Sequence, residues 1–131
     1  MTRWWILLIV FSSLAYCQRG ATDMRRAEIR GGGRDGTCTI EVEVDGAADV
    51  EIRGDRARLR TLAGRRASFR RFVCNDVMPP NPRGFRFRGI DGRGRQKLVQ
   101  EPRRGGPAVI RIEDPRGGRE GYTFDIEWRR R

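Results

Sequence analysis

Apolar residues recur at every second position over long stretches of this chain, a period that fits an extended strand with one buried face and not a helix. Ile40, Val42 and Val44 alternate with Thr39, Glu41, Glu43 and Asp45, and Val50 and Ile52 alternate with Asp49, Glu51 and Arg53. Joining these two runs in register leaves Gly46-Ala47-Ala48 as a three-residue hairpin loop. The same register sets Glu41 against Arg53, which is favourable, and Glu43 against Glu51, which is not. Near the end, Tyr122, Phe124, Ile126 and Trp128 share one face, with Thr123, Asp125, Glu127 and Arg129 on the other. Further strands are expected over 57–62, 68–74, 85–90, 95–100 and 108–113, separated by turns bearing Gly, Pro or Asn. Met78-Pro79-Pro80-Asn81-Pro82 cannot lie in a central strand and reads as a crossing loop or a rigid edge connection. Seven to eight short strands without a helical period predict an all-β fold, a small antiparallel β-sandwich or a flattened barrel.

Ahead of that region the chain opens with Arg3, an apolar run from Trp4 to Phe11, and the small residues Ser12, Ser13 and Ala15. A basic start, about a dozen apolar residues and a small-residue cut site describe a secretory signal peptide. The run falls short of the roughly 20 residues that span a bilayer, so an anchoring helix is the lesser alternative. Cleavage fits after Ala15 or after Cys17. Leu14-Ala15-Tyr16-Cys17 also spells a lipoprotein box, with a lipid anchor on Cys17, although bulky Tyr16 stands where a small residue belongs. Loss of Cys17 with the leader leaves Cys38 and Cys74 as an even pair in a secreted or periplasmic, oxidising compartment, which predicts a disulfide between them. Closing that loop stabilises the fold by roughly 3–4 kcal/mol on the chain-entropy account. The bridge is expected across the sandwich or at its rim. The predicted organisation is a signal peptide over 1–17, a flexible linker over 18–36 in which 27–30 could add an edge strand, and the β-sandwich domain over 37–129.

The 28 basic residues include one lysine, Lys97, against 17 acidic residues, so the net charge is +11 and arginine carries it. A guanidinium forks onto carboxylate, phosphate or sulfate, so such a surface favours anions. Codon bias in a GC-rich genome would enrich Arg, Gly and Pro together without any such role. Arg86 and Arg88 lie on the face opposite Phe85 and Phe87, which would project both into solvent if the aromatic face is buried. With Arg70, Arg71, Arg93, Arg95, Arg103 and Arg104 they form the candidate anion-binding set.

Catalytic and cofactor chemistry finds few footholds. Histidine is absent, and Ser68 has no base near it in sequence, which argues against a nucleophilic triad. Paired carboxylates such as Asp91 or Asp114 with Glu113 exist, but no pair stands out. Two isolated cysteines without histidine cannot complete a zinc site. The Gly31-x-Gly33-x-x-Gly36 spacing precedes a strand instead of joining strand to helix, so it does not make a dinucleotide site, and no cofactor or metal is expected. Glu43, Asp45, Asp49 and Glu51 would gather at the hairpin tip; a calcium site is conceivable there, but an acidic edge balanced by arginine is preferred. Arg53-Gly54-Asp55 falls at a turn and matches an adhesion tripeptide that this composition supplies by chance. The Arg-Gly-Gly steps at 30–32, 104–106 and 116–118 lack the exposed aromatic platforms of single-strand binders, so nucleic acid is not an expected partner.

The segments Cys38-Thr39-Ile40-Glu41-Val42, Arg70-Arg71-Phe72-Val73-Cys74, Ile90-Asp91-Gly92-Arg93-Gly94 and Gly121-Tyr122-Thr123-Phe124-Asp125-Ile126 lie within residues 37–128, a stretch that resembles lineage-restricted exported domains of GC-rich soil bacteria. The resemblance implies secretion and a β-rich fold and transfers no functional residue. The expectation is an exported, non-enzymatic β-sandwich that binds an anionic polysaccharide or an envelope surface through arginine. It has no small-molecule substrate and, once the leader is removed, no transmembrane segment. The alternatives are a structural or protein-interaction module without polyanion affinity, and a neutral-glycan binder using Trp128 or Tyr122.

Overall fold

The computed structural model describes residues 20–130. The signal segment over 1–17, with Cys17 and both cut sites, lies outside the described residues. Ten strands follow in order: β1 Gly20–Arg26, β2 Glu28–Ile29, β3 Gly36–Asp45, β4 Ala47–Arg53, β5 Arg56–Thr61, β6 Ala67–Cys74, β7 Arg83–Asp91, β8 Arg95–Gln100, β9 Ala108–Glu113 and β10 Arg119–Arg129. They form two five-stranded sheets, the first ordered β1-β5-β4-β9-β8 and the second β2-β6-β3-β10-β7. All pairings are antiparallel except β2 with β6, and neither sheet closes on itself. The fold is therefore a β-sandwich, and the flattened barrel is set aside.

Alternation builds the core directly. The inward positions of β3 and β4 (Cys38, Ile40, Val42 and Val44, then Ala48, Val50 and Ile52) meet Ile110, Ile112, Leu59 and Phe72 and the aromatic row Tyr122, Phe124 and Trp128. Gly36 faces the Trp128 ring so closely that a β-carbon would overlap it. Met78, in the Pro-rich crossing loop between β6 and β7, is buried and plugs one end of this core.

The expected hairpin of β3 and β4 does not form. β3 pairs with β6 and β10, whereas β4 pairs with β5 and β9, so the chain crosses from one sheet to the other at Gly46. Gly46 has φ 81, in the left-handed region that glycine adopts without steric cost. Its N–H donates to Gly118 O at 3.2 Å and its carbonyl accepts from Asp114 N at 2.8 Å, which ties the crossing to the β9–β10 turn. The inward face runs unbroken from Gly36 to Ile52, so local alternation is the same for a hairpin and for a crossing. The crossing avoids the Glu43–Glu51 clash and surrounds each carboxylate with arginines from its new neighbours.

The Cys38–Cys74 disulfide forms, with an S–S distance of 2.03 Å. Cys38 and Cys74 are directly opposite in register on adjacent strands, near one end of the second sheet. The bridge therefore lies within a sheet and does not cross the sandwich.

The linker expected over 18–36 is corrected for residues 20–29, which supply β1 and β2. β1 completes the first sheet beside β5 and reaches across to the edge of β6: Phe69 N donates to Asp23 Oδ2 at 3.2 Å, and Arg25 Nη1 donates to Phe69 O at 3.1 Å. A polar, Arg-bearing segment was legible as a linker because its work is to cap backbone groups, which leaves no apolar period.

Candidate functional site

The two outer faces of the sandwich differ in charge. On the second sheet the central strands β3 and β10 present acids, Glu41, Glu43, Asp125 and Glu127, and the flanking strands present arginines. Arg71 sits 3.7 Å from Glu41, Arg86 3.2 Å from Glu127 and Arg88 3.0 Å from Asp125. Arg70 donates to Glu43 from Nε at 2.8 Å and again from Nη2, and Arg119 reaches the other oxygen of the same carboxylate at 2.7 Å. Four of the arginines singled out by sequence thus project outward as expected but meet carboxylates of neighbouring strands.

Arg93 is a clamp between two turns. Its Nε donates to Asp114 Oδ2 at 2.7 Å, Nη1 lies 3.3 Å from Glu120, and Nη2 donates to Gly117 O at 3.0 Å. The Asp114 side chain is 1% exposed and also accepts from Arg116 N at 3.0 Å. The bond from Arg93, helped by that backbone N–H, holds the Asp114 carboxyl below the usual carboxylate range against the opposing effect of burial. Arg103 pairs with Glu101 at 2.7 Å, and Arg104 donates its backbone N–H to Asn81 Oδ1 at 2.7 Å. Of the eight, Arg95 and Arg104 have no carboxylate partner among the described residues.

The first sheet carries the surplus. Its outward positions hold Arg26 on β1, Arg56, Arg58 and Arg60 on β5, Arg53 on β4, Arg111 on β9, and Arg95 and Lys97 on β8. Against them stand Asp49, Glu51 and Glu113. Arg111 grips Asp49 through Nε at 3.0 Å and Nη2 at 3.3 Å, which raises its own pKa further. Glu51 is shared by Arg58 at 3.2 Å and Arg60 at 2.6 Å. Arg56 lies opposite Arg26 on one side and Arg53 on the other, three guanidinium-bearing positions in one row. Among the described residues only Arg26 of these makes an ion pair, with Asp55 at 3.0 Å, and the same carboxylate attracts Arg56 at longer range. Like charges directly opposite in a sheet are unfavourable, so this row is a cost that fold stability alone does not explain.

The rows are spaced about 4.8 Å across strands and about 6.8 Å along a strand, an open lattice of donors. Two shallow depressions mark it, of about 370 Å3 beside Asp49, Arg60 and Arg111 and about 230 Å3 beside Arg53, Arg56 and Arg58. Sequence reasoning passed over Arg56, Arg58 and Arg60. Their signal was nonetheless present: Arg-Ala-Arg-Leu-Arg-Thr puts arginine at every outward position of one strand.

Other nominated features resolve plainly. Glu43 and Asp45 lie on one sheet and Asp49 and Glu51 on the other, and no cluster of three metal-ligating side chains occurs among the described residues. Asp55 of the Arg53-Gly54-Asp55 turn is held by Arg26, which lowers its pKa. Trp128 and Tyr122 are 2% and 1% exposed, so neither offers a ring to a neutral glycan. No helix among the described residues is long and apolar enough to cross a membrane. Comparison with protein-family models, with curated proteins and with solved structures finds no match to this chain.

Proposed function

We propose that this chain is an exported, non-enzymatic β-sandwich that binds an anionic polymer across the outer face of its first sheet. The observation that carries the reading is the row Arg26–Arg56–Arg53, flanked by Arg58, Arg60 and Arg111, on a face with few acids. A repeating carboxylate, sulfate or phosphate would bridge guanidiniums that otherwise repel one another, and donors spread over four adjacent strands suit an extended chain better than a compact substrate. The disulfide and the leader both support an extracytoplasmic location, where acidic polysaccharides and envelope polymers are the available polyanions. The second sheet fits the other reading of the composition, in which arginine serves to pair with the protein's own acids.

Chromatography on immobilised heparin tests the proposal. Retention should fall steeply with salt. Replacing Arg56, Arg58 and Arg60 by Ser should remove most of it, whereas replacing Arg86 and Arg88 by Ser should leave it largely intact. Elution of the unaltered protein near a neutral protein at low salt, or equal losses in the two variants, would overturn the assignment.

A further inference from the structure

The end of the sandwich away from the Gly46 crossing holds a groove of about 510 Å3 between the β6–β7 loop and the last residues of β10. Its wall includes Arg83 and Arg129, which are direct partners in the β7–β10 register. Neither has an ion pair or a side-chain hydrogen bond among the described residues. Both side chains line this one groove, so two guanidiniums without a counter-charge among the described residues share it.

Local geometry sustains this arrangement. The register shifts between Glu127 and Arg129, an irregularity of the kind that re-aims a side chain at the end of a strand. The Arg129 side chain then lies over Gly84, where a β-carbon would come within 3.1 Å of Nε and 3.2 Å of Cγ, so any larger residue would push Arg129 aside. The one carboxylate in the wall, Asp76, is already engaged. It accepts from Val77 N at 2.8 Å and from Arg130 Nε at 3.1 Å, and these bonds keep it ionised and matched. Arg130 is further anchored on the carbonyls of Gly33 at 2.9 Å and Asn75 at 3.1 Å. What remains unmatched in the groove is the positive charge of Arg83 and Arg129.

We infer that this groove is an anion site, separate from the sheet face, in which Arg83 and Arg129 together grip one compact tetrahedral oxyanion, a phosphate or sulfate. A planar fork on each side of one tetrahedral group offsets the repulsion between the two cations, which a single carboxylate oxygen does less completely. The inference does not depend on the polymer-binding face.

Titration of the intact protein with inorganic phosphate, sulfate and glycerol phosphate at constant ionic strength, followed on the arginine Nε–H signals by NMR, tests it. The Arg83 and Arg129 signals should move together and saturate, while exposed Arg34 does not. Arg83→Gln and Arg129→Gln should each weaken phosphate binding about tenfold. The Arg56, Arg58 and Arg60 replacements should leave the titration unchanged, which separates failure here from failure of the sheet-face proposal. Tighter binding of the ester than of the free ions points to a phosphorylated or sulfated chain end, and equal binding to the free anion. Shifts that do not saturate, or that match those of Arg34, would refute the site.

Discussion

Asp114 shows how one buried acid serves this basic chain. It ties the β7–β8 turn to the β9–β10 turn through Arg93 and Arg116, and Asp76 and Asp55 play similar roles for Arg130 and Arg26. All three carboxyls titrate below their ordinary value. A group with a depressed folded pKa contributes stability that is fully present above the unfolded pKa, near 4, and is lost as pH falls through the folded value. Thermal stability should therefore be flat between about pH 5 and 8 and fall below about pH 4. Asp114→Asn should be less stable at neutral pH and should lose less on acidification; melting curves across that range, with an acid limb as steep as in the unaltered protein, would remove Asp114 from this role. The partner of Asp114 was not legible in sequence, because Arg93 lies twenty-one positions away and joins it only through two turns.

Among the elements, β1 illustrates a strand with no apolar signature. Asp23 and Arg25 satisfy the N–H and carbonyl of Phe69 where β6 would otherwise have a bare edge, since β2 pairs only with Val73 and Cys74. Removing both side chains leaves those backbone groups without partners, at a cost of about 1–2 kcal/mol. Asp23→Ala with Arg25→Ala should lower the denaturant midpoint accordingly and speed exchange of the Phe69 amide; an unchanged exchange rate there would mean water serves equally well. The eight strands read from sequence all occur, because period-two alternation needs only the neighbouring residues. Pairing between them does not follow from it, as β3 and β4 demonstrate: the same alternation serves one sheet or two.

For the whole molecule, the decisive quantity is where positive charge remains unmatched. Salt has opposing effects: it weakens the ion pairs of the second sheet, each worth about 0–1 kcal/mol when exposed, and it screens repulsion among unmatched arginines. With a net charge of +11 the second effect should prevail, so melting temperature should rise as salt increases from about 0.01 to 0.15 M. Replacing Arg53 and Arg56 by Ser should flatten that rise. A melting temperature that falls with salt would show that attraction outweighs repulsion and would weaken the case for an unsatisfied anion-binding face.

The positions of β3 to β10, their inward-facing residues and the Cys38–Cys74 pairing were readable along the chain, because each rests on alternation or parity that neighbouring residues carry, whereas β1, which lacks alternation, was not. The charge of the molecule was readable as a total, but its distribution was not. Arg70, Arg71, Arg86 and Arg88 look as free in sequence as Arg56, and the distinction arises when β3 and β10 bring acids between the first group while β1, β5 and β4 align Arg26, Arg56 and Arg53 in one row; Arg58 and Arg60, on the same strand as Arg56, share Glu51. Which strands become neighbours depends on packing two sheets over one core, a long-range matter that no short window of sequence contains.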